Sequence, residues 1–263
     1  MSDKEKIIEL FYQNIKGKKA DISTNNQKHD GKKGHWLETQ MGIKHNGDNA
    51  PDLFGYEMKN QTTSGKITFG DWSADEYIYI HGRGKNPTRN STNKNYNITR
   101  DNFLEIFGKP NFLKNNRLSW SGIPCPTYFG DISPFGQALD IDNDNNIVII
   151  YSFSKDMREN KSELVPLNIQ IDNLIIAKWK FQILKKKLEN KFNQNGWFTC
   201  TTNKEGIYQN ISFGQAMNFD TWIKLFKNKI VFFDSGMYQG NKRPYSQWRA
   251  STGFWHSLII DTY

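Results

Sequence analysis

One short stretch of this chain combines residue types that can cleave a phosphodiester bond. Asp52 precedes Glu57, and Lys59 follows two positions after Glu57. Side chains two apart on a β-strand project to the same face, so a strand here places Glu57 beside Lys59. Pro51 favours a turn, from which Asp52 can reach the same point. Two carboxylates and an amine are groups that hold Mg²⁺ and orient a water for attack on phosphate.

The same pattern also arises by chance on solvated strand edges, so its surroundings matter. Residues 34–43 carry an apolar stripe of Trp36, Leu37 and Met41, which predicts a short helix. Glu38 lies off this stripe. Taken alone it is a solvent-facing glutamate; next to a genuine site it is a third carboxylate for the cation.

Two further patterns predict local structure. Alternation along the motif strand predicts that Phe54, Tyr56 and Met58 face a core. Residues 137–142 and 146–153 read as a hairpin with an Asn/Asp turn. The turn lacks the glycine and the closing glutamate of a calcium loop, so we exclude calcium there.

The motif and the upstream helix come in the order known from one superfamily of nucleases: a helix glutamate, a Pro-Asp pair and a Glu-x-Lys strand. In this chain these parts are Gly34-x-Trp-Leu-Glu38, Pro-Asp52 and Gly-Tyr-Glu57-Met-Lys59. Together they resemble the active-site segment of PD-(D/E)xK nucleases, in the branch that contains MutH, MvaI and BcnI. The resemblance is close over residues 31–69 and looser elsewhere.

This resemblance implies both a fold and an activity. The implied fold is α/β, a restriction-endonuclease-like mixed sheet core flanked by helices, with a DNA-recognition lobe or hairpin. The implied activity is Mg²⁺-dependent cleavage of double-stranded DNA that leaves 5′-phosphates. Asp52, Glu57 and Glu38 would be the metal ligands, and Lys59 would position the attacking water.

The composition is compatible with a polyanionic partner. Lys and Arg number 35 against 27 for Asp and Glu, a net charge of +8. Phosphate contacts would dominate the affinity of such a surface, although an AT-rich genome also enriches lysine. No apolar run reaches membrane-spanning length and no signal-peptide pattern is present. Cys125 and Cys200 stand far apart, so we expect reduced thiols and a cytoplasmic location.

Two other segments carry candidate DNA-binding residues. In residues 81–98, which contain no acid, Arg83, Lys85 and Arg89 either clamp phosphates or belong to a simple unstructured loop.

The second segment, residues 235–249, is dense in groups that read base edges, although it would also suit a surface hairpin with solvated arginines. Strands at 230–233 and 254–260 would flank it. The residues that we expect to contact DNA here are Tyr238, Lys242, Arg243 and Arg249.

No linker rich in Pro, Gly or Ser divides the chain, so we expect a single nuclease domain over residues 1–263. Its catalytic part would span about residues 1–170 and its DNA-recognition part about residues 171–263. Three functions remain open: a type II restriction endonuclease with a methyltransferase as genetic rather than physical partner, a MutH-like nicking enzyme, and a non-catalytic DNA-binding protein.

Overall fold

The computed structural model describes residues 1–23, 32–43, 49–60, 62, 64–79, 96 and 98–263. These residues form a mixed α/β protein. Its α-helices are, in chain order, α1 (Asp3–Asn14), α2 (Lys32–Gln40), α3 (Arg100–Phe107), α4 (Lys161–Leu164), α5 (Phe181–Phe192), α6 (Phe219–Lys227) and α7 (Thr252–Ser257).

Among the described residues, the β-strands pair into four sheets. They are, in chain order, β1 (Tyr56–Met58), β2 (Lys66–Asp71), β3 (Glu76–Tyr77), β4 (Lys109–Asn111), β5 (Arg117–Trp120), β6 (Phe135–Ile141), β7 (Ile147–Asp156), β8 (Leu174–Trp179), β9 (Gly196–Thr202), β10 (Tyr208–Gly214), β11 (Phe232–Ser235), β12 (Met237–Tyr238), β13 (Ser246–Ser251) and β14 (Ile259–Thr262). The strand orders are β1-β9-β10-β14, β11-β13-β2, β12-β5-β4 and β3-β8-β7-β6.

The chain divides into two compact units, each built from separated segments. The first unit combines Met1–Ile67, Lys186–Trp222 and Ala250–Tyr263, and the second combines Thr68–Lys185 and Ile223–Arg249. Both units therefore take residues from either side of position 170. The functional division expected near that position stays a prediction, and it does not follow the structural division.

The first unit contains the motif strand. β1 runs parallel to β9, whereas β9, β10 and β14 pair antiparallel, so the sheet is mixed. α1 begins with a capping box at Ser2 and buries Ile7 and Phe11 against this sheet. α2 adds Leu37 to the same core, and its Trp36 stacks on Tyr208 of β10. Two helices thus cover one face of the sheet that carries the motif.

The second unit is built on aromatic packing. Phe103 and Phe107 of α3 lie edge-on or tilted against neighbouring rings, including Trp120 of β5 and Tyr151 of β7. Trp120 also donates its indole N–H to the buried Gln137, 2.6 Å away, which satisfies both buried polar groups.

Several elements match the sequence predictions. The hairpin predicted over residues 137–153 is confirmed as β6 and β7, with the Asp142 carboxylate accepting from the backbone N–H groups of Asp144 and Asn146. The predicted strand at residues 254–260 is wrong. The Ser251 side chain accepts a hydrogen bond from the Phe254 N–H and caps α7, so most of the predicted strand is helical. Only the last residues of the predicted strand belong to β14.

Gly196 is a strict steric requirement for the close approach of β9 to the end of β10, and its replacement gives a first prediction. Its φ is +102°, and a Cβ there would lie 2.3 Å from the Gly214 carbonyl oxygen. We expect Gly196→Ala to lower the free energy of unfolding by about 3–5 kcal/mol in urea denaturation. Gly206→Ala is the control, because Gly206 also has positive φ but its nearest contact is 3.5 Å away. We expect that control to cost about 1 kcal/mol, and equal losses in both variants would contradict the steric argument.

Candidate active site

A two-residue turn explains why the motif aspartate stands five positions before the glutamate. Phe54 and Gly55 have φ values of +47° and +79°, and Leu53 and Tyr56 exchange backbone hydrogen bonds of 3.0 and 2.8 Å. This geometry matches a type I′ turn, which reverses the chain tightly. Asp52 is thereby folded back onto β1, where its Oδ2 accepts from the Met58 N–H at 2.9 Å.

The turn corrects one sequence prediction. Phe54 was expected to face the core, but it is 43% exposed because it occupies the turn and β1 begins only at Tyr56. Met58 does face the core, as predicted.

The turn is held from the far side by the segment that follows α5. The Asn195 side chain donates to the Phe54 carbonyl at 2.9 Å, and the Asn195 N–H donates to the Gly55 carbonyl at 3.0 Å. Sequence reasoning missed Asn195, since nothing local marks an asparagine in a loop as the clamp of a distant turn.

Glu57 and Lys59 share one face of β1, as the strand period predicts. The Lys59 ammonium donates to Glu57 Oε1 at 2.8 Å, and both side chains are buried. The second carboxylate oxygen of Glu57, Oε2, is buried and has no hydrogen-bond partner. A buried charged oxygen left in this state costs free energy, so it is a natural position for a cation.

A second lysine reaches the same carboxylate. The Lys191 ammonium, from the last turn of α5, lies 2.9 Å from Glu57 Oε1. Glu57 is therefore shared by two cations. The sequence offers no signal for this, because Lys191 looks like the other lysines of that helix.

The Lys59 ammonium lies over two aromatic rings. Its ammonium lies 4.9 Å from the Phe192 ring centroid and 5.9 Å from that of Trp255. Burial, with a further contribution from the Lys191 ammonium, lowers the pKa of Lys59 although Glu57 acts in the opposite direction. A lysine of this kind gives up its proton more readily than an exposed one.

The pKa of Asp52 is shifted upward, whereas that of Lys59 is shifted downward. Burial, followed by the like charge of Glu57, raises the pKa of Asp52 to about 6, against the opposing effects of Lys191, the Met58 hydrogen bond and Lys59. Two carboxylates held this closely resist simultaneous ionisation, and a divalent cation relieves that repulsion.

Glu38 lies on α2, half-buried, and its backbone carbonyl accepts from the Ile43 N–H. Among the described residues no three His, Cys, Asp or Glu side chains are grouped as a metal cluster. Asp52 and Glu57 are therefore the pair of carboxylates that the structure brings together, and the role of Glu38 stays a prediction.

A cavity of about 470 Å³ opens beside the motif in the same unit. Its lining includes the two lysines Lys19 and Lys33 and the polar side chains of Asn60 and Thr62. Asn60, which directly follows Lys59 in the chain, borders this basic and polar cavity.

The expected DNA-binding residues of the C-terminal segment lie in the second unit, and the arginines are already paired. Arg243 contacts the Asp71 carboxylate at 3.0 and 3.1 Å. Arg249 binds Asp234 at 2.7 Å. Lys242 is exposed and Tyr238 half-buried. Their contact with DNA stays a prediction, as does that of Arg83, Lys85 and Arg89, which lie outside the described residues.

In the described part of the chain, no helix is long and apolar enough to cross a membrane.

Comparison with known proteins gives consistent results. The family model described as LlaMI restriction endonuclease matches residues 15–263. The type II restriction enzyme ScrFI of Lactococcus lactis subsp. cremoris is 49% identical over 271 residues, covering 98% of each chain. The structure of restriction endonuclease MvaI with its cognate DNA substrate matches with a TM-score of 0.56 at 15% identity, covering 100% of this chain and 98% of that one. That likeness confirms the expected restriction-endonuclease-like fold.

The raised pKa of Asp52 predicts a pH-dependent stability in the absence of metal. A carboxyl group whose folded pKa lies above its ordinary value of 3.8 stabilises the fold at low pH, and this stabilisation is lost as the pH rises through about 6. We therefore expect Asp52→Asn to be more stable than the parent at pH 7.5 in EDTA, by about 1–2 kcal/mol.

The measurement is urea denaturation in EDTA at pH 4 and pH 7.5, with the exposed Asp144 changed to Asn as control. The gain for Asp52→Asn should vanish at pH 4. A variant that is less stable than the parent at pH 7.5 would show that ionised Asp52 helps to hold the fold.

Proposed function

The chain belongs to the LlaMI restriction endonuclease family, and we propose that it cleaves double-stranded DNA by Mg²⁺-dependent hydrolysis at a site formed by Asp52, Glu57 and Lys59. As a member of this family it is a type II restriction endonuclease, a site-specific deoxyribonuclease that uses a divalent metal. The observation that carries the proposal is the buried Glu57 carboxylate, with one oxygen unpaired, folded next to Asp52.

The donor set fits Mg²⁺. This ion prefers oxygen ligands and is usually held by one or two carboxylates, with water and substrate phosphate completing its shell. Asp52 and Glu57 supply two carboxylates, and Glu38 is proposed as an assisting third. When bound, Mg²⁺ would offset phosphate charge and acidify a water molecule.

Lys59 is proposed to orient the attacking water. Its ammonium is fixed by Glu57 on one side and by the Phe192 and Trp255 rings beneath. Because its pKa is lowered, Lys59 can first release its own proton to solvent and then, as the neutral amine, hydrogen-bond the water and accept its proton as the phosphate is attacked. The products of this in-line attack are a 5′-phosphate and a 3′-hydroxyl.

The DNA would be held by basic groups. We propose that Lys19 and Lys33, which line the cavity bordered by Asn60, contact the DNA backbone. Arg83, Lys85 and Arg89 are proposed to contact phosphates. Base contacts are assigned to the segment with Tyr238, Lys242, Arg243 and Arg249. A cognate DNA methyltransferase is proposed as the genetic partner that protects the host genome.

The central prediction concerns cleavage itself. We expect Lys59→Ala and Asp52→Ala each to lower the cleavage rate at least about a hundredfold while leaving DNA binding within a few-fold, because each removes a group that acts on the reacting atoms. The assay is digestion of unmethylated phage DNA with Mg²⁺ or with EDTA, followed by sequencing of the fragment ends. Lys204→Ala, at an exposed position of the same unit, is the control.

Discrete double-strand fragments made only by the parent and the control, and only with Mg²⁺, support the proposal. Full activity in Lys59→Ala would sink the site assignment, and nicks without breaks would favour a strand-nicking enzyme.

A further prediction concerns Lys191. Because its ammonium sits on Glu57 Oε1, an incoming cation competes with it for that carboxylate. We expect Lys191→Met to bind Mg²⁺ about three- to tenfold more tightly without DNA, as measured by calorimetric titration. Lys186→Met, an exposed lysine of the same helix, should leave the affinity unchanged. Weaker binding in Lys191→Met would mean that Lys191 organises Glu57 for the metal instead of competing with it.

A further inference from the structure

The hairpin made by β4 and β5 has features that none of the roles assigned above uses. Its strands are joined by a short 3₁₀ turn, Phe112–Lys114. On its other side β5 pairs with β12, with Tyr238 opposite Ser119. The hairpin is thus part of the same three-stranded sheet as Tyr238, the first of the residues expected to read bases.

The tip of this hairpin exposes two large apolar side chains. Phe112 is 83% exposed and Leu113 is 92% exposed. The tip is nevertheless well defined: the Asn111 side chain accepts from the Leu113 N–H, and Asn115 and Asn116 adopt left-handed backbone conformations that close the turn. Adjacent exposed apolar residues at an ordered tip are typical of a surface that meets a partner.

The charged residues of the hairpin are all basic. Lys109, Lys114 and Arg117 lie on the hairpin, and the sequence has no acid between Glu105 and Asp131. A hairpin that combines exposed apolar side chains with basic charges suits a polyanion that also offers apolar surfaces. Duplex DNA is such a partner, because its grooves expose sugars and bases between the phosphates.

Arg117 is held ready for such a partner. Its guanidinium carbon lies 3.4 Å from the centroid of the Tyr238 ring, a stacked cation–π contact. Its Nε is buried without a hydrogen-bond partner. Within the described part of the chain Arg117 makes no ion pair, in contrast to Arg243 and Arg249, which are bound to aspartates.

We propose that this hairpin enters a groove of the bound duplex. Phe112 and Leu113 lie against sugars and bases there, while Lys114 and the stacked Arg117 meet phosphates at the groove edge. The inference rests on the proposed function, since it assumes that duplex DNA is the substrate. It adds a DNA-binding element from the middle of the chain to the C-terminal segment.

The experiment separates the apolar contact from the ionic one. Binding is measured by fluorescence anisotropy in the Lys59→Ala background, which prevents cutting, with a duplex that contains the mapped cleavage site. Phe112→Ser/Leu113→Ser should weaken binding about tenfold or more, with the salt dependence of the affinity unchanged. Arg117→Gln should weaken binding and reduce the slope of log affinity against log salt by about one.

Matched controls come from the same unit. Leu167→Ser replaces another apolar residue that is 85% exposed, and Lys227→Gln removes an exposed charge. Both should bind within about twofold of the background protein. The melting temperature of Phe112→Ser/Leu113→Ser should match the parent, because its side chains are in solvent.

Two outcomes would overturn the inference. One is DNA binding by Phe112→Ser/Leu113→Ser that equals that of Leu167→Ser. The other is loss of self-association by sedimentation with DNA binding intact, which would make the tip a contact between copies of the chain. Failure of the proposed active site would appear separately, as cleavage by the Lys59→Ala background itself.

Discussion

The first unit depends on one buried carboxylate held between two ammonium groups. Glu57 is 3% exposed, and both Lys59 and Lys191 contact its Oε1. A buried charge is tolerated only where opposite charges offset the cost of its desolvation. Glu57 offsets this cost for the two lysines, and the lysines offset it for Glu57. The β1–β9 pairing, the turn at Phe54 and the end of α5 all serve to bring these groups together. Removing either lysine would leave the buried charge of Glu57 less well offset and would lower the stability of the unit.

The local part of this site could be predicted from the sequence because it is governed by local rules. Strand alternation places Glu57 beside Lys59, and the turn residues bring Asp52 back onto the strand. Lys191 and Asn195 could not be predicted in this way, since their partners lie far away in the chain and no spacing links them. α7 was missed because hydrophobic periodicity cannot distinguish a short helix from a strand over a stretch as short as residues 254–260. The hydrogen bond that the Ser251 side chain accepts from the Phe254 N–H caps the first turn and favours the helix.

The second unit shows the same limit for charged residues. Arg243 and Arg249 look like free cations in the sequence, yet Asp71 and Asp234 neutralise them. Nothing in the sequence marks Arg117 as a candidate for DNA contact. In the structure, however, it stacks on Tyr238 and its Nε has no hydrogen-bond partner. A basic residue is a better candidate for DNA contact when no acidic residue pairs with it, and only the folded structure shows which basic residues are paired.

The interleaving of the two units has a consequence for the order of events during synthesis. The chain leaves the first unit after Ile67 and returns to it only at Lys186 and again at Ala250. Asp52, Glu57 and Lys59 are therefore made early, but Lys191, the β9 partner strand and the Trp255 ring beneath Lys59 are made much later. A ribosome-bound fragment that ends before Lys186 carries the whole motif but lacks Lys191, β9 and Trp255. In a restriction endonuclease, this order means that the surroundings of Asp52, Glu57 and Lys59 are complete only when translation is nearly over.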